Sequence, residues 1–155
     1  MRLVLHAGDV ASPRTLALFR GFRGAVAFGN NDVDEAALAR AARAIGWETG
    51  ESWAGVLDDG TRIALAHGHR PATLKRLLRP EVDYLVRGHN HRVMDERVDG
   101  VRVLNPGALF RASRYTVGVL DTASGALEVV ELPKVTGEGA DAPTGSGGRR
   151  REGRG

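Results

Sequence analysis

Four short stretches of the chain combine glycine with side chains that bind metals: HAGD at residues 6–9, FGNND at 28–32, AHGH at 66–69 and RGHNH at 87–91. All five histidines, His6, His67, His69, His89 and His91, lie in or just before them. With Asp9, Asn30, Asn31 and Asp32 they offer carboxylate, amide and imidazole donors. Such a mixed oxygen and nitrogen set suits divalent manganese, iron, nickel or zinc more than calcium. A glycine in each stretch lets the backbone turn sharply or approach a ligand closely. His89 and His91, one position apart, would share a face if their segment were extended. Each residue alone also has a plainer role. His6 suits a hydrogen-bonded core histidine, Asp9 suits a turn cap, and Asn30 and Asn31 suit left-handed turn positions. The four stretches together point to one shared metal site.

The intervening segments supply elements that would carry these loops. RLVLHAG (2–8) reads as a buried strand running into a loop at Gly8-Asp9. A helix follows, with Ser12 as N-cap and Pro13 at its first position. An apolar strand at 25–28 ends in the second loop. DEAALARAARAIG reads as a helix with acidic residues in its first turn and Gly46 placed to end it. SWAGVLDDGTRIALAHGH forms a hairpin turning at Asp59-Gly60. PATLKRLLRP is a short helix between Pro71 and Pro80, and VDYLV is the next strand. Two more hairpins follow, one turning at Asp99-Gly100 and one spanning YTVGVLDTASGALEVVEL. Strand and helix alternate in the first half, and hairpins dominate the second. The expected class is therefore α/β, a sheet of mixed direction layered with helices. Ligand sites in open α/β sheets form beyond the carboxyl ends of the strands, where the four loops fall.

Composition narrows the function classes. The 155 residues suit one domain, and 42% hydrophobic content is enough for a core. The absence of cysteine excludes disulfides, zinc ribbons and thiol catalysis. No apolar run approaches the roughly 20 residues that span a bilayer, and MRLVLHAGDV lacks a signal peptide's apolar core. A cytoplasmic protein is expected. Of the net charge of +3, most lies in the segment from Lys134 to Gly155, which holds five basic and three acidic residues. That Gly/Arg-rich tail, 133–155, is expected to be disordered. Its RRREGR could make weak contacts with a polyanion, but a solvated tail is the simpler reading. A nucleic-acid-binding module fits poorly, because the body is nearly neutral and aromatics are 5% of residues.

In their order, LHAGDV, FGNND, LAHGHR and VRGHNHR resemble the calcineurin-like metallophosphoesterases, and above all their small bacterial and archaeal phosphodiesterase branch. NPGALFR at 105–111 is similar to that branch's Asn-Pro-Gly turn. The resemblance covers residues 2 to about 132, so a domain at 1–132 is expected. It implies layered mixed β-sheets, a β-sandwich flanked by helices, with metals at the sheet ends. By motif, Asp9 would bridge two ions, Asn30, His67 and His89 would complete one of them, and His91 would bind the other. The family's opening strand, ending in Asp-x-His, has no counterpart upstream of Asp9. The expectation is that the first strand is missing, through a recorded start downstream of the true one or through degeneration.

The resemblance implies a metal-dependent phosphodiesterase in which a metal-bound hydroxide attacks a phosphoester substrate. No protein nucleophile is required, and no serine stands in a nucleophile-elbow motif. Asn31 occupies the place where many relatives carry a histidine acid. His69 is a substitute acid or phosphate contact, and Asp32 orients a neighbour or caps the next helix. The alternative is an N-terminally incomplete, noncatalytic metal-binding homologue acting as scaffold or regulator.

Overall fold

The structure is a computed structural model, and it describes residues 3–134. Three sheets and three helices form an α/β architecture. Strands β1 (Leu3–His6), β2 (Arg23–Ala27) and β3 (Glu48–Gly50) make a parallel sheet in that order. Helices α1 (Pro13–Ala17) and α2 (Glu35–Ala44) are its crossovers. The chain passes through Glu51 into β4 (Ser52–Val56), which pairs antiparallel with β5 (Arg62–Ala66). After α3 (Pro71–Leu77) come β6 (Tyr84–Val86), β7 (Val93–Val98) and β8 (Val101–Pro106). They complete a five-stranded mixed sheet in the order β4-β5-β6-β8-β7. A hairpin of β9 (Tyr115–Leu120) and β10 (Leu127–Leu132) closes the described chain.

Alternation along the strands sorts side chains into three packed layers. Val4 and Val26 pack with Leu16, Leu38, Ala42 and Trp47 beneath α1 and α2. Leu5, Ala25 and Ala27 face Leu65, Trp53 and Val86 across the gap between the two larger sheets. Ala64, Leu85 and Val103 face Leu74 and Leu77 of α3. The alanines at the centre let the sheets approach closely, so loops leaving one sheet come within bonding distance of loops leaving the other.

Local signals explain most element ends. Ser12 caps α1 by accepting from Arg14 N, and Pro13 opens it. Gly46, at φ +78°, follows α2. Asp99 and Gly100, at φ 49° and 86°, make the tight turn between β7 and β8. The three-residue β3 is too short to carry a periodic pattern. Asp34, not Asp32, caps α2, accepting from Ala37 N at 2.8 Å. The tail expected from residue 133 lies, from Val135 on, outside the described residues. Among the described residues no helix is long and apolar enough to cross a membrane.

Asp59, in the β4–β5 turn, accepts from the Thr122 hydroxyl at 2.6 Å and from Thr61 N at 2.9 Å. The Thr122 hydroxyl and then the Thr61 bonds pull its carboxyl down from the usual 3.8 to about 2. A depressed folded value adds stability above the unfolded value near 4, and that stability is lost as pH falls toward about 2. Between pH 5 and pH 2 the unfolding midpoint of the wild type is therefore expected to fall further than that of Asp59→Asn, by thermal circular dichroism. Parallel curves would show that the contact adds nothing.

Candidate metal centre

Strands β1 and β2 run parallel, as do β5 and β6, and their four following loops gather at one edge of the two sheets. The junction is His67. Its side chain is 3% exposed, and its Nδ1 lies 2.6 Å from the carbonyl of Ala7, across the gap between sheets. A carbonyl only accepts, so Nδ1 carries the proton and Nε2 presents a lone pair. Around Nε2 lie Asn30 Oδ1 at 3.1 Å, His89 Nδ1 at 3.3 Å and Asp9 Oδ1 at 3.5 Å. Gly88 N donates to the His67 carbonyl at 3.0 Å and locks the third and fourth loops together.

These separations test whether the residues fit a cation. Two donors bound at roughly 2.1 Å to one ion stand about 3.0 Å apart across an octahedral edge and about 3.4 Å apart across a tetrahedral one. The three observed distances fall in or beside that interval. The donor set of Asp9, Asn30, His67 and His89 thus fits one divalent ion. Without the Asn30 amide it is incomplete: among the described residues no three His, Asp or Glu side chains form a cation cage by themselves. Asn30 and His89 are exposed, whereas His67 is buried, so the centre has a closed floor and an open mouth.

Glycine makes the close approach possible. Gly8, at φ +90°, would place a Cβ 2.7 Å from His67 Nδ1 and 2.8 Å from Gly29 N. A Cβ at Gly29 would collide with the Asp9 carboxylate.

His91 does not join the four. Its exposed ring has Nδ1 3.1 Å from the carbonyl of Arg111, which leaves Nε2 open. The expectation that His89 and His91 share a face assumed extended backbone. Both residues are left-handed instead, at φ 75° and 58°, and their rings take different partners, His67 Nε2 and the Arg111 carbonyl. His6 is a half-buried, hydrogen-bonded histidine at the end of β1, close to its simpler reading. Its Nδ1 accepts from Gly8 N at 3.2 Å, its ring meets Phe19 edge-on, and burial lowers its pKa.

The model of the calcineurin-like phosphoesterase superfamily domain matches residues 1–125. This chain belongs to the calcineurin-like phosphoesterase superfamily. A phosphodiesterase of Methanocaldococcus jannaschii is 29% identical to it over 125 residues, which are 77% of this chain and 75% of the relative. The solved structure of an archaeal phosphodiesterase superposes with a TM-score of 0.76 at 26% identity, covering 85% of this chain and 84% of that one. Vps29 of Entamoeba histolytica shares the fold at a TM-score of 0.58 and 21% identity, covering 86% and 83%.

Calcineurin-like phosphoesterases bind divalent metals, and around the four donors this member has a supporting set of bonds. Asn31 bonds both carboxylate oxygens of Asp9, through its backbone N at 3.0 Å and its Nδ2 at 2.8 Å. Burial alone would raise the Asp9 carboxyl; the Asn31 bonds, with His67 and His89 nearby, outweigh it and hold its pKa below 3.8. Asp32 is 4% exposed and accepts from Asp9 N, Ala11 N and Gly29 N at 2.9, 3.0 and 2.7 Å. It orients the first two loops and touches none of the open mouth.

His69 packs with its ring centroid 5.3 Å from that of His67, and its Nε2 accepts from Arg70 Nε at 3.1 Å. That bond uses the lone pair an acid would have to protonate, and burial, then His67 and Arg70, lowers the pKa of the ring. Glu51 in turn binds Arg70 Nη1 at 3.0 Å and the Thr73 hydroxyl. Fully buried Asn105 donates to the Gly88 carbonyl at 3.1 Å and to Asn90 Oδ1 at 2.8 Å, and so shapes the fourth loop. Sequence reading gave Asn31, Glu51 and Asn105 no such part. Only the Asn105-Pro106-Gly107 turn hinted at one of them.

Proposed function

We propose that this chain is a metal-dependent phosphodiesterase, with Asp9, Asn30, His67 and His89 holding one divalent ion of manganese, nickel, iron or zinc. The observation that carries the reading is the convergence of three donors, from three other loops, on His67 Nε2 at 3.1–3.5 Å. The chain that carries them belongs to a superfamily of phosphoesterases. A bound divalent ion supplies Lewis acidity toward a phosphoryl oxygen and makes coordinated water more acidic.

The chain's own residues do the rest. Asn31 holds both oxygens of the Asp9 carboxylate in place at the centre. Arg70, fixed by Glu51, brings a positive charge beside the mouth, where it offsets charge on an incoming phosphodiester. His69 orients that guanidinium rather than donating a proton through Nε2. Asn31, in the place of an acid, cannot protonate a leaving group. Substrates whose leaving groups need no protonation should therefore react best.

The test is turnover of bis(p-nitrophenyl) phosphate by the purified chain with added manganese, against chelated protein and against an alkyl monoester. Manganese-dependent release of p-nitrophenol is expected, with the monoester turned over far more slowly. Failure with manganese, nickel, iron and zinc alike sinks the hydrolase reading. Stoichiometric metal binding without turnover would make the chain a noncatalytic metal-binding homologue.

A further inference from the structure

The loop between β8 and β9 is built onto the metal centre without being part of it. Its root is closed by a bridge between Ala108 and Tyr115 and by Thr116 N donating to Ala108 O at 3.1 Å. Asn105, which shapes the fourth metal loop, also accepts from Gly107 N at 3.0 Å. The loop's middle is tied to the same metal loop by the bond from His91 Nδ1 to the Arg111 carbonyl. Arg111 sits at φ +50°, a conformation an L-residue avoids unless its surroundings hold it there. Two anchors therefore index this loop to His89.

What the loop presents is unusual for this molecule. Leu109 is 51% exposed and Phe110 is 67% exposed. The chain has four phenylalanines; Phe19 and Phe28 pack into the core, and Phe22 is less exposed than Phe110. The Arg111 guanidinium lies 5.2 Å from the centroid of the Phe110 ring, a cation over one aromatic face. An exposed aromatic side chain beside a cation, on a loop tied to the segment that carries His89, has the chemistry of a stacking platform.

We propose that Phe110 and Arg111 recognise a planar aromatic group in the ester that stays on the phosphate after the leaving group departs, a nucleobase or an aryl ring, while the phosphate occupies the metal centre. Phe110 offers its face for stacking, and Arg111 adds positive charge toward the anion. The proposal rests on the phosphodiesterase reading for the choice of ligand, and not for the geometry of the loop.

Three p-nitrophenyl phosphodiesters test it, sharing a leaving group and differing in the second ester, which is methyl, phenyl or thymidine 5′. Phe110→Ala is expected to lower kcat/KM for the phenyl and thymidine esters relative to the methyl ester by about tenfold, chiefly through KM. Phe110→Trp should restore the ratio. A fall confined to the thymidine ester supports the platform and assigns it to a base; an equal change for all three overturns it. A second arm needs no catalysis: thymidine 5′-monophosphate is titrated into the full chain by NMR. Binding about tenfold weaker in Phe110→Ala is expected, and binding equal in both proteins, or absent from the wild type, overturns the proposal. Phe110-dependent binding without turnover of any ester would sink the phosphodiesterase reading and leave the platform standing.

Discussion

His89→Ala is expected to strip the purified protein of most of its divalent metal and to cut phosphodiester turnover by about a hundredfold or more. His89 Nδ1 is one of the donors within 3.5 Å of His67 Nε2, and its ring is exposed, so its loss removes a ligand without opening the core. The backbone around it should persist, because the Asn105 bonds to Gly88 and Asn90 do not use the imidazole. Metal content by mass spectrometry, with an unfolding curve as control, separates ligand loss from misfolding. His6→Ala is the contrasting variant. It should lower the unfolding midpoint, because it removes a half-buried ring against Phe19, while metal content follows wild type. Equal metal in wild type and His89→Ala would show that the four-loop junction holds no ion.

The second large effect is on stability. Asp32→Ala leaves three backbone N–H groups, of Asp9, Ala11 and Gly29, without their acceptor. A hydrogen bond to a charged group contributes about 1.5–3 kcal/mol, and a donor left buried costs more than a bond never made. The three share one carboxylate and do not add, so a loss of about 3–5 kcal/mol is expected. That is a large part of a typical domain's 5–15 kcal/mol. Urea unfolding should show a lower midpoint with little change in slope. Asp32→Asn should cost less, since one carbonyl oxygen still accepts, but its NH2 would face a backbone N–H. Metal affinity should weaken in both variants, because the Asp9 loop loses its tether to Gly29. A midpoint within about 0.5 kcal/mol of wild type would mean the loops hold their shape without Asp32.

Short-range chemistry made much of this molecule legible before any coordinates. Ser12-Pro13, Gly46, Asp59-Gly60 and Asp99-Gly100 decide where helices and strands stop, because caps and turns depend on neighbours a few residues away. Apolar alternation placed the strands, and the four glycine-led loops identified the residues that meet at His67. The short β3 escaped because three residues carry too little pattern; its place beside β2 comes from parallel pairing between distant segments.

Side-chain partners were the illegible part. Nothing local distinguishes Asp32 from Asp34, yet one caps α2 and the other collects three amides from two loops. His89 and His91 look equivalent in sequence, yet with left-handed backbone at both, one ring takes His67 Nε2 as its partner and the other the Arg111 carbonyl. The tautomer of His67 depends on the Ala7 carbonyl, 60 residues away in the chain. The sequence by itself determined which donors this protein owns and that their loops follow strands. Tertiary structure alone decided which donors face one another, because a lone pair's direction depends on the packing of two sheets and on angles imposed by contacts far along the chain.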